Sequence, residues 1–563
     1  MIRHVKDDLY QIGEHVAGGY GREAVNVYVL LNGDAPILID CGSHLHNTSI
    51  MAEMDEVLDG RTPEYIFLTH SELPHAGNIA SVAEKWPGIK VIVSNVMLPY
   101  IEVLPVLPLS QITQVVPGHK IECGSRTIYF IDALLKDQPG SQWVYDDRTE
   151  SIFTGDGFGY YTTDEQIDQF SDEIEGGIQA DQFVAYHKTT FHYLRWIKPD
   201  RFNADLDTMF SRRPISVIAP IHGNAIRSDI PTHVARMKSA IETIYQRYEA
   251  VNSPFVGKFA SSNGRVKNLN LPTTEATVYG AGLERVAIRP ITDKIFWLTH
   301  CLGDLADEYY KEYFATLPDA DNYSGGRIVD YPFSAFLIVD EKSLLIDTCG
   351  PKQREAFMKA LEHGLGGRSL DYIWISHIEL PHAGNAPTIK RKYPGSQIVT
   401  RAGGENYELH GLENGMNVAP GDMLDLGYHK IEMVDPLFVD HGLSQWLFDH
   451  TTGFMFTADW GHNLHEPALG HCFKYVEEML ATGYDDATMV DDIKVNAWYQ
   501  FPWLAWTDAD EIAGAVDEFF QMYDVKIFAP SHGNIIRRDF DKYIPMIKEG
   551  MRLAAAMPFS HAL

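Results

Sequence analysis

The segment His70-Ser71-Glu72-Leu73-Pro74-His75-Ala76-Gly77-Asn78 returns as His377-Ile378-Glu379-Leu380-Pro381-His382-Ala383-Gly384-Asn385. Two imidazoles and a carboxylate, spaced two and five residues after the first His, can converge on a metal ion when one tight turn carries them. Other polar positions repeat in the same order. Phe153-Thr154-Gly155-Asp156 is answered by Phe456-Thr457-Ala458-Asp459, and Ala219-Pro220-Ile221-His222-Gly223-Asn224 by Ala529-Pro530-Ser531-His532-Gly533-Asn534. The candidate ligands are therefore His377, Glu379, His382, His441, Asp459 and His532 in the second copy, and His70, Glu72, His75, Asp156 and His222 in the first. Aligning Asp137-Gln138-Pro139-Gly140-Ser141-Gln142-Trp143 with Asp440-His441-Gly442-Leu443-Ser444-Gln445-Trp446 leaves Gln138 opposite His441. Glutamine is a poor substitute for imidazole, so the first copy is expected to hold the weaker site. A lone Asp or His-Gly-Asn after a strand is ordinary turn chemistry; the ordered, repeated set is what points to metal. Nitrogen and oxygen donors without thiolate are compatible with iron, manganese or zinc.

Most of these residues follow apolar runs, such as Tyr65–Thr69 and Tyr372–Ser376, which predicts ligands on loops at strand ends. Further strand-like runs (Val25–Leu31, Ile37–Ile39, Lys90–Val93, Thr127–Ile131, Ser151–Thr154) alternate with helix-like stretches such as Asn78–Trp86, the order of layered α/β units. The match also includes Ile37-Leu38-Ile39-Asp40 with Leu344-Leu345-Ile346-Asp347, and Trp86-Pro87-Gly88 with Tyr393-Pro394-Gly395. A chain of 563 residues is too long for one core. The repeat divides it into a first domain over 1–255, a linker over 256–285 carrying Gly280-Ala281-Gly282, and a second domain over 286–563.

With 46 basic and 77 acidic residues the formal charge is −31, which opposes nonspecific binding to nucleic acid or to an anionic membrane. The N-terminus has no signal-peptide core and no apolar run is long enough to span a bilayer, so a cytoplasmic location is expected. Five cysteines (Cys41, Cys123, Cys301, Cys349, Cys472) without CxxC spacing predict neither a disulfide framework nor a thiolate zinc site, and Cys41 and Cys349, at similar places in the two copies, are read as small buried thiols. Trp498–Trp506 could roof a cavity or simply fill the core. Arg537 and Arg538, with Arg227 in the first copy, could bind an anionic substrate or begin a solvated helix.

The whole set resembles the metallo-β-lactamase superfamily, whose HxHxDH loop and later His, Asp and His residues bind two metals between two sheets. Glu379 in place of the second His, and Ala529-Pro530-Ser531-His532-Gly533, look like the flavodiiron branch, which binds two irons and reduces oxygen or nitric oxide. The resemblance implies two tandem αββα sandwiches. It implies one metal on His377, Glu379, His441 and bridging Asp459, and another on His382, Asp459 and His532. Two departures stand out: Pro74 and Pro381 replace the loop Asp, removing a carboxylate from the second metal of each copy, and Gln138 replaces a His. Flavodiiron proteins usually carry a flavodoxin domain and assemble head to tail. After His532 this chain runs only to Leu563, so the expectation is a pseudo-dimer of the two copies, with FMN left open and electrons supplied by an external reductase or by substrate.

The function expected is a non-haem, di-iron oxidoreductase that reduces O₂ or NO, or uses O₂ to oxidise a small molecule, with Asp459 as the bridging catalytic carboxylate. Zinc-dependent hydrolysis and a non-catalytic gas or metal sensor are the rival readings. Metal identity separates the first two, and turnover separates both from the third.

Overall fold

The computed structural model describes residues 1–94, 97, 109–249, 269–301, 332–402, 412, 415–461 and 470–557. Its chain divides into two compact units, whose described parts run from Met1 to Glu249 and from Leu269 onward.

In the first unit one sheet follows chain order among the described residues: Arg3–Lys6, Leu9–Gly18, Gly21–Leu30, Ile37–Ile39, Tyr65–Phe67, Lys90–Ser94 and Ile112–Val115. Its first four strands pair antiparallel, and from Ile37–Ile39 onward the pairing is parallel. Parallel neighbours need crossovers, and the helices Asn47–Leu58 and Ile79–Lys85 provide two of them. The second sheet runs Ile226–Arg227, Val217–Ala219, Ser151–Phe153, Gln142–Asp146, Arg126–Asp132 and Lys120–Cys123. Tyr28, Ile39, Phe67 and Ile92 of the first sheet share one buried cluster with Ile128, Phe130, Val144 and Phe153 of the second. The hydrophobic core thus lies between the two sheets, and the helices Ala180–Thr190, Pro199–Arg212 and Ile230–Glu249 complete the unit.

The second unit repeats the plan. Strands from Thr277–Tyr279 to Met416–Val418 form its first sheet, and those from Met423–Asp425 to Ile527–Ala529 its second. Phe336 of the first meets Phe454 of the second with ring centroids 5.5 Å apart.

Two expectations are corrected. The stretch read as linker already contains structure of the second unit: Thr277–Tyr279 pairs antiparallel with Val286–Ile288 and forms the edge of its first sheet; residues 256–268 of that stretch lie outside the described ones. Cysteine pairing was not expected, yet Cys301 and Cys472 form a disulfide with Cα atoms 6.0 Å apart. Cys41 and Cys349 are free and buried, as read from the sequence, and Cys123 is free and buried as well. Among the described residues no helix is long and apolar enough to cross a membrane.

Candidate metal centre

Each centre is assembled from the ends of both sheets of its unit. In the first, Tyr65–Phe67 runs out into the loop that carries His70 and Glu72, and Leu73–Ala76 forms a single helical turn that presents His75. Pro74 sits in the first turn of that helix, where an absent N–H leaves no bond unmade. Asp156 follows Ser151–Phe153 and His222 follows Val217–Ala219, both from the second sheet. The second unit places His377, Glu379, His382, Asp459 and His532 in the same way.

Asp156 and Asp459 are the hubs. Asp156 Oδ1 lies 3.2 Å from His70 Nε2, 3.0 Å from His75 Nε2 and 3.6 Å from His222 Nε2. Asp459 divides its two oxygens: Oδ2 faces His377 Nε2 at 3.2 Å, while Oδ1 faces His382 Nε2 at 3.4 Å and His532 Nε2 at 3.1 Å. Ligand atoms of His377, Glu379, His382 and Asp459 all lie within 4.8 Å of one another, as do those of His70, His75 and Asp156. The side chains are buried. His377 Nε2, His382 Nε2, Asp459 Oδ1 and both carboxylate oxygens of Glu379 have no hydrogen-bond partner. Buried polar atoms are ordinarily satisfied, so a convergent set left open is one that a cation would complete. The donor set fits a metal such as iron.

The far nitrogens of the histidines are held. Asp40 and Asp347 end strands in the left-handed region, at φ 58° and 59°, a conformation uncommon for a residue with a Cβ. Their carboxylates repay it. Asp40 accepts from the Thr69 N–H at 2.7 Å and the Thr69 hydroxyl at 2.6 Å, and lies 2.8 Å from His75 Nδ1. Asp347 accepts from the Ser376 N–H at 2.8 Å and its hydroxyl at 2.9 Å, and lies 2.7 Å from His382 Nδ1. His222 Nδ1 lies 2.9 Å from the Ala24 carbonyl, and His532 Nδ1 2.9 Å from that of Pro332. A carboxylate or carbonyl on Nδ1 fixes the tautomer that leaves Nε2 for a metal.

Burial opposes charge on these groups, and opposite neighbours outweigh it. His75, beside Asp40 and Asp156, is raised to about 9, as is His222 beside Asp156 and Glu23. His377 is raised well above the usual range, while Asp156 and Asp459 are held well below theirs by the surrounding imidazoles. Burial pushes Asp440 well up, with the Asp459 charge adding to it, and pushes Asp137 up to about 6.

His441 stands apart from the clustered four. Its ring stacks on His377 with centroids 5.7 Å apart, and its Nδ1 accepts from the Leu443 N–H at 3.3 Å. Glu72 groups with His70 and Asp137 instead of with the His75 cluster. The Trp498–Trp506 stretch contributes to the core. Trp503 and Trp506 are core residues, and Trp503 Nε1 donates at 3.0 Å to the Val439 carbonyl, which backs the His441 loop. Arg537 is not available to a substrate: it is buried, bonded to Glu477 at 2.6 Å and laid over the Tyr475 ring. Arg227 is likewise paired with Asp172.

Sequence reasoning gave no part to Asp40, Asp347, Asp137 or Tyr186. Tyr186, on the helix Ala180–Thr190, donates to Asp156 Oδ2 at 3.0 Å. A carboxylate closing the same strand in both copies was the available signal for Asp40 and Asp347; nothing comparable marked Tyr186.

Residues 24–223 match the family described as ODP family beta lactamase, and residues 329–478 match the metallo-beta-lactamase superfamily. The anaerobic nitric oxide reductase flavorubredoxin of Aliivibrio salmonicida is 24% identical over 245 residues, covering 42% of this chain and 48% of that one. The protein of the same name from Vibrio vulnificus is 24% identical over 260 residues, covering 44% and 51%. The chain therefore spans about half the length of these curated relatives. Among solved structures, the flavodiiron protein from Giardia intestinalis aligns at 19% identity with a TM-score of 0.36, covering 44% of this chain and 59% of that one. From the two repeated sandwiches, the equivalent clusters between their sheets and the matched family descriptions, the chain carries two metallo-β-lactamase-like domains in tandem.

Proposed function

We propose that the second domain is a non-haem, di-iron oxidoreductase that reduces O₂ or NO, or uses O₂ to oxidise a small molecule, drawing electrons from a separate reductase or from the substrate. The observation that carries this reading is the split of Asp459, one oxygen toward His377 and the other toward His382 and His532, beside a Glu379 carboxylate with both oxygens open. One carboxylate facing two sets of donors is the geometry of a bridge between two ions. His377, Glu379, His441 and Asp459 would hold one iron, and His382, His532 and Asp459 the other. Iron, when bound, supplies the electron-transfer capacity and open positions for a diatomic ligand. The chain's part is to fix the donors: Asp347 holds His382, and the Pro332 carbonyl holds His532. Buried Trp503 anchors the chain that leads to His441 by donating to the Val439 carbonyl. Pro381, which lacks a side-chain ligand, leaves the His382 and His532 metal with fewer protein donors, so that metal should leave first. The curated relatives named as nitric oxide reductases agree in kind with this reading.

The test is metal content of anaerobically purified full-length protein, with its visible spectrum before and after air, followed by O₂ and NO consumption with added reductant. Iron whose spectrum responds to oxygen, with consumption lost in Asp459→Ala, is the expected result. A zinc-loaded protein that hydrolyses esters or lactones, and is inert to both gases when loaded with iron, would replace this reading by a zinc hydrolase.

A further inference from the structure

We infer that the first domain is not a degraded copy but a second, harder metal site, in which Asp137 takes the ligand place left by the missing histidine. This rests on the proposed reading that these clusters hold metal, and concerns which residues do so in the domain that lacks a counterpart of His441.

Gln138 stands at the position of His441, and its amide is already engaged. Its Oε1 accepts from the Ser71 hydroxyl at 2.9 Å, and its Nε2 donates to Glu72 Oε1 at 2.9 Å. It orients Glu72 and offers no donor atom of its own. The preceding residue does. Asp137 is 1% exposed, its Oδ1 accepts from the Ser141 hydroxyl at 2.8 Å, and its Oδ2 has no hydrogen-bond partner. That oxygen lies 3.2 Å from His70 Nε2, and the ligand atoms of His70, Glu72 and Asp137 lie within 4.8 Å of one another.

The same aspartate is spent in the second domain. Asp440 Oδ1 accepts from the His441 N–H at 2.8 Å, and Oδ2 accepts from Gln500 Nε2. Aligning Thr190-Phe191-His192-Tyr193-Leu194 with Gln500-Phe501-Pro502-Trp503-Leu504 puts Thr190 opposite Gln500, so the first domain has no amide there to occupy Asp137. Two substitutions therefore act together. Losing the imidazole removes one ligand, and losing the glutamine frees the adjacent carboxylate to replace it.

The chemistry of the two sites then differs. His70, Glu72, Asp137 and Asp156 offer one nitrogen and three carboxylates, against two nitrogens and two carboxylates for His377, Glu379, His441 and Asp459. Three carboxylates gathered in a buried pocket need a cation, and an oxygen-rich set shifts preference toward manganese and iron and away from zinc. The first domain is thus built for a hard divalent cation of the Mn²⁺ class.

The experiment uses full-length chain carrying His377→Ala and Asp459→Asn to disable the second centre, stripped of metal and titrated with Mn²⁺ while the electron paramagnetic resonance of free Mn²⁺ is read. Bound Mn²⁺ is expected in this background. Adding Asp137→Asn should weaken Mn²⁺ by about tenfold or more and Zn²⁺ by less, whereas adding Gln138→Ala, which loosens Glu72 but leaves all four donor side chains in place, should weaken Mn²⁺ by less than Asp137→Asn does. Absence of Mn²⁺ binding in the background chain, an unchanged affinity in a folded Asp137→Asn protein, or a Gln138→Ala loss as large as that expected of Asp137→Asn would each overturn the assignment. Should Asp137→Asn fail to fold, the background and Gln138→Ala titrations still decide. A chain that binds Mn²⁺ in its first domain yet turns over neither gas would sink the proposed function alone; turnover without Mn²⁺ binding would sink this inference alone.

Discussion

Replacing Asp347 by Asn alters one atom of a residue that faces the outer nitrogen of His382, and the consequence for metal can be worked from its bonds. The carboxylate accepts from the Ser376 N–H and hydroxyl and lies 2.7 Å from His382 Nδ1. An asparagine that keeps its oxygen on the Ser376 N–H must turn its NH₂ toward Nδ1. Nδ1 carries the proton whenever Nε2 binds metal, so two donors would meet. Either the contact opens, or the imidazole changes tautomer and protonates the nitrogen the metal needs. A charge-assisted hydrogen bond of this kind contributes about 1.5–3 kcal/mol, which at about 1.4 kcal/mol per decade is roughly 10–100-fold in affinity. Competition of the iron-loaded, full-length protein against a chelator of known affinity measures it, with the unfolding midpoint of metal-free protein as a control for folding. An affinity within about twofold of the parent in a folded variant would refute the claim that Asp347 prepares His382 for metal.

Three further outcomes are expected. His187 is fully buried with Nδ1 on the Phe183 carbonyl, and burial lowers it from 6.5 to about 4. Its stabilising share is complete above about 6.5 and is lost as pH falls toward 4, a difference of about 3 kcal/mol. Denaturant titrations of the parent and His187→Phe at pH 7 and pH 4.5 should therefore show the smaller acid loss in the variant; equal losses would contradict it. The Cys301–Cys472 disulfide closes a sequence separation of 171 residues, so Cys301→Ser should lower stability by about 2–5 kcal/mol in oxidised protein. The difference should vanish when both proteins are reduced, and a difference that persists in reductant would mean the effect is one of packing. Gly223 has φ +135°, and an added Cβ would lie 2.6 Å from the Tyr160 ring; Gly223→Ala should cost about 1–3 kcal/mol through strain next to His222 and reduce metal retained by the first domain. Calorimetry and metal analysis on the same sample check both parts.

The fold was readable because its signals were local and appeared twice. Runs such as Ile37–Ile39 and Ser151–Phe153 occur as strands at the positions expected. The loop motif declared the histidines for the same reason: their spacing alone brings them together. What the sequence hid depended on partners far along the chain. Whether Asp137 or Gln138 faces His70 turns on hydrogen bonds to Ser71 and Ser141, which the motif names without showing what they bond, and on the residue opposite Gln500, which lies outside it. Asp40 and Asp347 were visible as matched residues, but their role depends on a left-handed backbone that turns each carboxylate back under a histidine. Cys301 and Cys472 carried no spacing signal, because strand pairing and the approach of a distant segment set their distance. Thr277–Tyr279 resembled a linker because an edge strand of three residues is too short to show alternation.

In both domains the candidate ligands are contributed by two sheets, with Asp156 and His222 approaching His70 and His75 from the opposite side of the core, and Asp459 and His532 doing so for His377 and His382. Neither sheet presents a complete site, so metal occupancy is linked to closure of the sandwich. A metal at about a hundred times its dissociation constant adds about 2.7 kcal/mol to the domain that binds it and nothing to a domain that does not. Because the two donor sets differ, the halves of one polypeptide would draw on different ions for their resistance to unfolding. Scarcity of a single metal would then leave a chain with one firm half and one half open to proteases, and the position of the cuts would report which ion the cell had run short of.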